Sequence, residues 1–178
     1  MVNKREGYKL TSSSEKFCLI NKKRPKGEII WINGVSIGEA KSGLTIANEI
    51  LRISPNTTIL FSTSTISAYK EIKKMNKQVI LVFLPVDFNF LVKKFVNYWD
   101  PSFAFFMESE IWPNIIKELS RTKCKFIILN GRMSDKSFFW WIKFNLITKE
   151  IFKQISFCAT QDEISKERFK KLGTTNVR

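Results

Sequence analysis

The chain has 178 residues, which is enough for one domain with a sizeable apolar core. Its residues are 44% apolar and 26% charged, which excludes wholesale disorder, and the absence of histidine excludes a Ser-His-Asp triad, a Cys-His dyad and a histidine general base. The net charge of +14 favours an anionic partner, such as nucleic acid, acidic lipid or a phosphorylated substrate, over a merely basic and solvated surface.

Residues 1–27 form a polar lead-in that contains eight Lys or Arg residues and two Glu residues. Ser12–Ser14, Pro25 and Gly27 interrupt any periodicity, so we expect a loosely held basic arm with one short helical stretch. The first residues lack the apolar segment of a signal peptide, and no apolar run in the chain is long enough for a transmembrane helix.

From Glu28 onwards, short apolar runs alternate with segments of helical periodicity. The apolar runs are rich in β-branched and aromatic residues, which is typical of strands buried on both faces of a parallel sheet. The predicted strands are 29–33, 57–63, 78–85, 102–107, 125–130 and 155–160, and the predicted helices are 39–53, 66–76, 88–99, 114–123, 135–153 and 161–172. This alternation predicts an α/β domain over 28–178, with an open, Rossmann-like parallel sheet and helices on both faces.

Ligands bind at the carboxyl ends of the strands in such sheets. Polar residues and glycines follow each of the predicted strands, so we expect one composite cleft at this edge. The segments concerned are 34–39, 62–65, 85–87, 108–110, 130–134 and 161–163.

Gly34 and Gly38 flank Ser36 at the start of the first helix, where backbone amides and the helix dipole favour a negatively charged ligand. The spacing matches neither a GxGxxG fingerprint nor a P-loop. Ser36 and Glu39 also have the spacing of a capping box, in which the Glu side chain bonds back to the N-cap amide. Two roles therefore stay open for Glu39, and it can act both as a cap and as a catalytic carboxylate only if it leaves the cap when substrate binds.

Glu108 and Glu110 directly follow a buried strand. Carboxylates in such a position can have raised pKa values, which suits general acid/base chemistry; the alternative is that one accepts backbone amides and the other is solvated. Arg132 follows the next strand and could clamp a carboxylate or a phosphate, or instead pair with one of these two Glu residues.

Phe138, Phe139, Trp140 and Trp141 follow one another near the start of the helix predicted at 135–153. Four consecutive aromatic residues point around most of a helix, so they cannot all face the sheet. Lysines lie close by on both sides, and this combination favours contact with a membrane interface; the alternative is that the four residues belong to the core.

Three ordered segments resemble the motifs of the 3-deoxy-D-manno-octulosonic acid (Kdo) transferases of lipopolysaccharide synthesis. They are WINGVSIGE at 31–39, MESEIWPN at 107–114, and NGRMS at 130–134 followed by Ser137. The resemblance implies a GT-B glycosyltransferase, in which two Rossmann-like domains face each other across a cleft. It also implies inverting, metal-independent transfer of Kdo from CMP-Kdo to the lipid A precursor, lipid IVA, without a cofactor or a nucleic acid partner.

The same resemblance implies roles for particular residues. Glu39 matches the family's proposed general base, and Glu108 and Glu110 match the carboxylate pair of the second motif. Ser36, Gly38, Arg132 and Ser134 are the expected acceptor-binding residues. The implied location is peripheral, on the cytoplasmic face of the bacterial inner membrane, where the basic chain would meet anionic headgroups.

The sequence departs from the family pattern in three respects. Asn33 stands where the family usually has His, the usual N-terminal membrane anchor is not found, and the sequence ends where the family continues into its donor domain. We therefore expect a chain without the CMP-Kdo domain, and the sequence leaves open whether a separate chain supplies it. The alternative function is a non-catalytic basic α/β module that binds anionic lipid or nucleic acid.

Overall fold

The computed structural model describes residues 14–76 and 78–178, which form one six-stranded sheet with helices on both faces. The strands are β1 (Ile29–Asn33), β2 (Thr58–Thr63), β3 (Ile80–Phe83), β4 (Phe103–Met107), β5 (Lys125–Gly131) and β6 (Phe157–Thr160). The helices are α1 (Ile37–Ile53), α2 (Ile66–Met75), α3 (Asn89–Trp99), α4 (Pro113–Leu119), α5 (Asp135–Lys143), α6 (Asn145–Phe152) and α7 (Glu163–Leu172).

The sheet has the strand order β3-β2-β1-β4-β5-β6, and every pairing between neighbours is parallel. The predicted fold class is confirmed. The chain runs outwards from β1 to β3, then returns to start the second half at β4, directly beside β1. In a doubly wound sheet this reversal opens a crevice outside the carboxyl ends of the two central strands.

Each face of the sheet has its own apolar core. Helices α1 and α2 cover one face, where their side chains pack with Phe61 and Phe83. Helices α3 to α7 cover the other face, where the ring of Trp31 lies 4.9 Å from the rings of both Phe95 and Phe106. All five residues of β1 are buried, which is why the predicted strands appear as continuous apolar runs rather than alternating ones.

The single long helix predicted at 135–153 is wrong, because the chain breaks at Phe144 into α5 and α6. The hydroxyl of Thr148 donates to the carbonyl of Trp141 over 2.7 Å and occupies an acceptor that a continuous helix would use. The break lets Trp141 and Phe152 point into the same core, with their rings 5.2 Å apart. The predicted helix at 114–123 also ends early, at Leu119.

The described part of the N-terminal arm is packed onto the sheet edge, so the expectation of a loosely held arm is wrong for 14–27. The buried carboxylate of Glu15 accepts the backbone N–H of Phe83 over 2.7 Å and pairs with Lys22. The guanidinium of Arg24 donates to the carbonyl of Trp99 over 3.0 Å. An edge strand needs such partners, because its outer backbone groups are otherwise unpaired. Residues 1–13 of the predicted arm lie outside the described residues.

Candidate functional site

The loop after β1 holds Glu39 in a complete capping box. One carboxylate oxygen accepts the N–H of Val35 over 3.0 Å, the other accepts the N–H of Ser36 over 3.3 Å, and the Ser36 hydroxyl accepts the N–H of Glu39 over 3.1 Å. Glu39 is only 8% exposed. The structural role expected from the spacing is therefore present, and a catalytic role requires that at least one of these hydrogen bonds opens.

The two glycines of this loop differ in what surrounds them. A Cβ on Gly34 would lie 3.0–3.1 Å from the backbone of Glu39 and Ala40, so a side chain there would push the loop away from the helix. A Cβ on Gly38 would meet only the Ser36 hydroxyl, at 3.8 Å. Gly38 and Ser36 are both exposed, and the open space above Gly38 leaves room for a ligand to approach the backbone at the start of α1.

The backbone is strained at the start of the loop after β4 and near the end of the neighbouring strand β5. Glu108 has a φ of +56° and Asn130 a φ of +55°, in the left-handed region that non-glycine residues seldom adopt. The two loops are tied together, since the N–H of Glu108 donates to the carbonyl of Leu129 over 2.8 Å and the hydroxyl of Ser109 donates to the carbonyl of Arg132 over 2.7 Å. Strain at adjacent strand ends is typical of functional edges.

The carboxyl group of Glu110 interacts electrostatically with the other two acids of the predicted site, Glu39 and Glu108. The pKa of Glu110 is raised to about 6, mainly by burial and also by the negative charges of Glu39 and Glu108, against a hydrogen bond from the Trp112 indole that lowers it. That hydrogen bond joins Trp112 Nε1 to a carboxylate oxygen over 2.7 Å. The structure thus brings the three predicted carboxylates together at the point where the strand order reverses.

Arg132 is exposed at the end of β5 and, among the described residues, pairs with neither Glu108 nor Glu110. Hydrogen bonds from Ser165 lower the pKa of Asp162, and the charges of Arg132 and Arg168 lower it further, so Arg132 lies within electrostatic range of Asp162. Ser134 caps α5 through a hydrogen bond from the N–H of Ser137 over 3.2 Å. The carbonyl of Arg132 accepts the hydroxyl of Ser109, so the backbone of Arg132 borders the loop that carries Glu108 and Glu110.

Comparison with known proteins decides the family. The family described as 3-deoxy-D-manno-octulosonic-acid transferase (kdotransferase) matches residues 11–178. The chain belongs to the Kdo transferase family. A relative from Rickettsia typhi is 34% identical over 84% of this chain and 32% of its own length, and one from Haemophilus influenzae is 31% identical over 84% of this chain and 35% of its own length. Both relatives are named 3-deoxy-D-manno-octulosonic acid transferase, and the chain spans about a third of their length.

Asn33, in the first of the three motifs, is fully buried at the end of β1. Its side-chain oxygen accepts the hydroxyl of Ser62 over 2.7 Å, and that hydroxyl oxygen accepts the indole N–H of Trp31 over 2.7 Å. The amide nitrogen of Asn33 has no hydrogen-bond partner among the described residues. Asn33 thus anchors β1 to β2 beneath the crevice.

Asp87 and Asn114 belong to the site region, although the sequence assigned neither of them a role. The carboxylate of Asp87 accepts the backbone N–H groups of Asn114 and Ile115, over 3.2 and 3.0 Å, and its carbonyl accepts the Asn114 side chain over 2.6 Å. Burial raises the pKa of Asp87, and these hydrogen bonds oppose the shift. The signal was the position of Asp87 in the segment 85–87, which the sequence already placed at the same edge as Glu110, although it named no role for Asp87 itself.

The four aromatic residues predicted to contact a membrane are divided by the structure. Phe139 and Trp140 are 69% and 54% exposed, whereas Phe138 is half-buried beneath the guanidinium of Arg168. Trp141 is only 8% exposed and packs in the core against Phe152, so it cannot form part of an outer surface. Helix geometry explains this division, because consecutive residues lie about 100° apart around the axis.

In the described ranges, no group of three or more His, Cys, Asp or Glu side chains could hold a metal ion. The same ranges contain no helix with the length and apolar character needed to cross a membrane.

Proposed function

We propose that this chain forms the acceptor-binding half of a Kdo transferase and holds lipid IVA while Kdo is transferred from CMP-Kdo. The observation that carries the proposal is the convergence of Glu39, Glu108 and Glu110 in the crevice between β1 and β4. These residues lie in two of the three motifs, and membership of the Kdo transferase family supplies the reaction type.

Transfer with inversion requires a hydroxyl of the acceptor to lose its proton as it attacks the anomeric carbon of Kdo, while CMP departs. A carboxylate held near that hydroxyl can take the proton. Glu39 serves as this base once it is released from the backbone N–H groups of Val35 and Ser36. Glu110, with a pKa of about 6, is the second candidate, because a group that titrates near neutral pH exchanges protons readily under working conditions.

In this proposal, the phosphates of lipid IVA bind to Arg132 and to the start of α5. An exposed guanidinium that pairs with neither Glu108 nor Glu110 can bind a phosphate bidentately. The N–H groups of the first turn of α5, beside Ser134, add hydrogen-bond donors, although Asp135 in that turn contributes an opposing charge.

Acceptor binding by the 178-residue chain tests this proposal. We expect lipid IVA to bind more tightly than phosphatidylglycerol or duplex DNA, and Arg132→Ala to weaken lipid IVA binding about tenfold or more, as for a lost charged hydrogen bond. Arg52→Ala is the matched control, because Arg52 is exposed at the opposite end of α1. Equal affinity for lipid IVA, phosphatidylglycerol and duplex DNA would instead support a non-catalytic basic module.

We further propose that Phe139 and Trp140, with the basic surface around them, hold the chain against the anionic inner membrane. Exposed aromatic side chains insert into the headgroup region, and each nearby Lys or Arg adds about 1 kcal/mol at such a surface. Sedimentation with phosphatidylglycerol vesicles should show binding that weakens with salt and with Trp140→Ala. Binding that neither salt nor this substitution changes would rule this surface out.

A further inference from the structure

A groove of about 580 Å³ runs between α4 and α6 and borders the site described above at Asn114. Its walls are one face of each helix, since most of the lining residues follow helical spacing. On the α4 side they include Pro113, Lys117 and Ser120, and on the α6 side Ile147, Ile151 and Gln154. The proline, the isoleucines and the methylene stems of the longer side chains make the walls largely apolar.

The groove begins next to the carboxylates. Pro113 follows Trp112, whose indole is hydrogen-bonded to Glu110, and three residues of extended chain span about 10 Å at most. The groove then follows α4 away from the crevice, towards Ser120. A lipid whose sugar lay over Glu110 could therefore reach the groove with a chain attached to that sugar.

The outer side of the groove continues into the exposed apolar surface of α5. Ile147 is 65% exposed and lies one helical turn after Phe144, whose ring is 5.1 Å from the ring of Trp140. Lys117 and Glu150 carry opposite charges at the groove, so in a chain with a net charge of +14 this groove has no bias towards anions. Its chemistry suits an uncharged, apolar ligand.

We propose that this groove binds one acyl chain of the acceptor glycolipid. The proposal rests on the proposed function, because a lipid acceptor is what places an acyl chain beside Glu110. A volume of this size is typical of small-molecule sites, and walls that are apolar over most of their area suit a flexible hydrocarbon chain. The acyl chain fixes the position of the lipid, and the carboxylates act on its sugar.

The test uses n-alkyl glucosides from hexyl to dodecyl, below their micelle concentrations, titrated into the 178-residue chain. A groove of finite length predicts that affinity rises about fourfold with each added methylene and then stops rising when the groove is full. Ser120→Phe fills the far end of the groove and should bring this plateau to a shorter chain. Affinity that rises without a plateau, or a plateau that Ser120→Phe leaves unchanged, overturns the proposal.

A matched pair of variants locates the binding. Ile147→Glu should weaken decyl glucoside binding at least tenfold, whereas Ile164→Glu should leave it unchanged, because Ile164 is 64% exposed on α7 and does not line the groove. Equal effects of the two variants overturn the proposal. If the chain binds no alkyl glucoside but still binds deacylated lipid IVA in a way that depends on Arg132, that result overturns the groove proposal and leaves the proposed function standing. Alkyl glucoside binding without any lipid IVA binding overturns the proposed function, and with it the acceptor's acyl chain as the occupant of the groove.

Discussion

The carboxylate of Glu39 uses both of its oxygens to hold the loop after β1. Such a group stabilises the start of α1, through two hydrogen bonds and through its negative charge near the positive end of the helix dipole. A general base in the same position has to give up part of that stabilisation each time it accepts a proton. The stability of the loop and the rate of transfer are therefore coupled at one residue.

Glu39→Gln separates the two roles. Glutamine has one side-chain oxygen, so it can keep only one of the two backbone hydrogen bonds, and we expect the free energy of unfolding to fall by about 0.5–1.5 kcal/mol. If Glu39 is the general base, Glu39→Gln should reduce the rate of Kdo transfer about 10²–10⁴-fold in a chain or complex that turns over. Thermal unfolding and Kdo transfer are the two measurements.

Glu118→Gln provides the control for Glu39→Gln, since Glu118 is a similarly buried glutamate that pairs with Arg121 near the C-terminal end of α4, outside the segments of the expected cleft. It should lower stability modestly, as for a weakened ion pair, with little effect on turnover. A Glu39→Gln protein that transfers Kdo at nearly the original rate would contradict the catalytic role and leave the cap as its function.

Glu110 makes stability depend on pH in a defined direction. Its pKa is raised from the ordinary value of 4.5 to about 6 in the folded protein, so between these values the folded state binds more protons than the unfolded state. The contribution of Glu110 to stability is therefore complete below about 4.5 and is lost as the pH rises through about 6. Ionised Glu110 destabilises the fold at neutral pH.

Glu110→Gln should remove this dependence while its side-chain oxygen still accepts the Trp112 indole. Relative to the original chain, the variant should gain stability as the pH rises from about 4.5 to about 6. Denaturant unfolding across this range measures the difference, with the exposed Glu163→Gln as the control. A difference that stays constant with pH would show that Glu110 titrates normally.

At the scale of elements, the break between α5 and α6 decides which aromatic residues are available to a partner. Trp140 and Trp141 are adjacent in sequence, and their rings are 4.8 Å apart, yet only Trp140 is exposed. Turning the chain at Phe144 allows α6 to pack against α4 and α7, and it places Trp141 between them and the sheet. The outer surface is left with Phe139, Trp140 and Phe144.

The two tryptophans give a matched pair of substitutions. Trp141→Ala should lower the free energy of unfolding by about 3–5 kcal/mol, because it removes a large buried ring. Trp140→Ala should lower it by less than about 1 kcal/mol and should reduce vesicle binding instead. Denaturant unfolding of both variants measures the difference, and equal losses of stability would show that both rings belong to the core.

At the scale of the whole molecule, the segment before β1 closes one edge of the sheet. Glu15 provides the acceptor for the outer N–H of Phe83, and Cys18 donates from its thiol to the carbonyl of Leu91 over 3.1 Å. The carbonyl of Lys16 accepts the N–H of Val86 over 3.0 Å. The segment therefore joins the end of β3 to the start of α3 and belongs to the folded unit.

Glu15→Ala should destabilise the whole domain. It leaves the buried N–H of Phe83 without an acceptor and the ammonium of Lys22 without its partner, so we expect a loss of about 1–3 kcal/mol. Glu28→Ala removes the same charge from an exposed position and should change stability by less than about 0.5 kcal/mol. Equal effects of the two substitutions in a denaturant titration would mean that Glu15 contributes only its charge.

Local patterns in the sequence were sufficient for most elements of the fold. Strands that are buried on both faces appear as continuous apolar runs, and helices between them have amphipathic spacing, so both kinds of element were recognisable without knowledge of their partners. The capping box at Ser36 and Glu39 was equally local, because both of its residues lie within one turn. The burial of Trp141 was not local, because Phe152, whose ring packs against it, lies in the next helix.

The sequence by itself therefore determined the α/β class, the elements from β1 to α7 within a few residues, and the edge at which Glu39, Glu108 and Glu110 lie. The tertiary structure alone decided that β1 and β4 are neighbours, which brings these carboxylates within electrostatic range of one another. It also decided that 14–27 packs on the sheet edge and that the helix breaks at Phe144. The physical reason is that these features depend on contacts between different elements of the fold, and the periodicity within one element carries no record of such contacts.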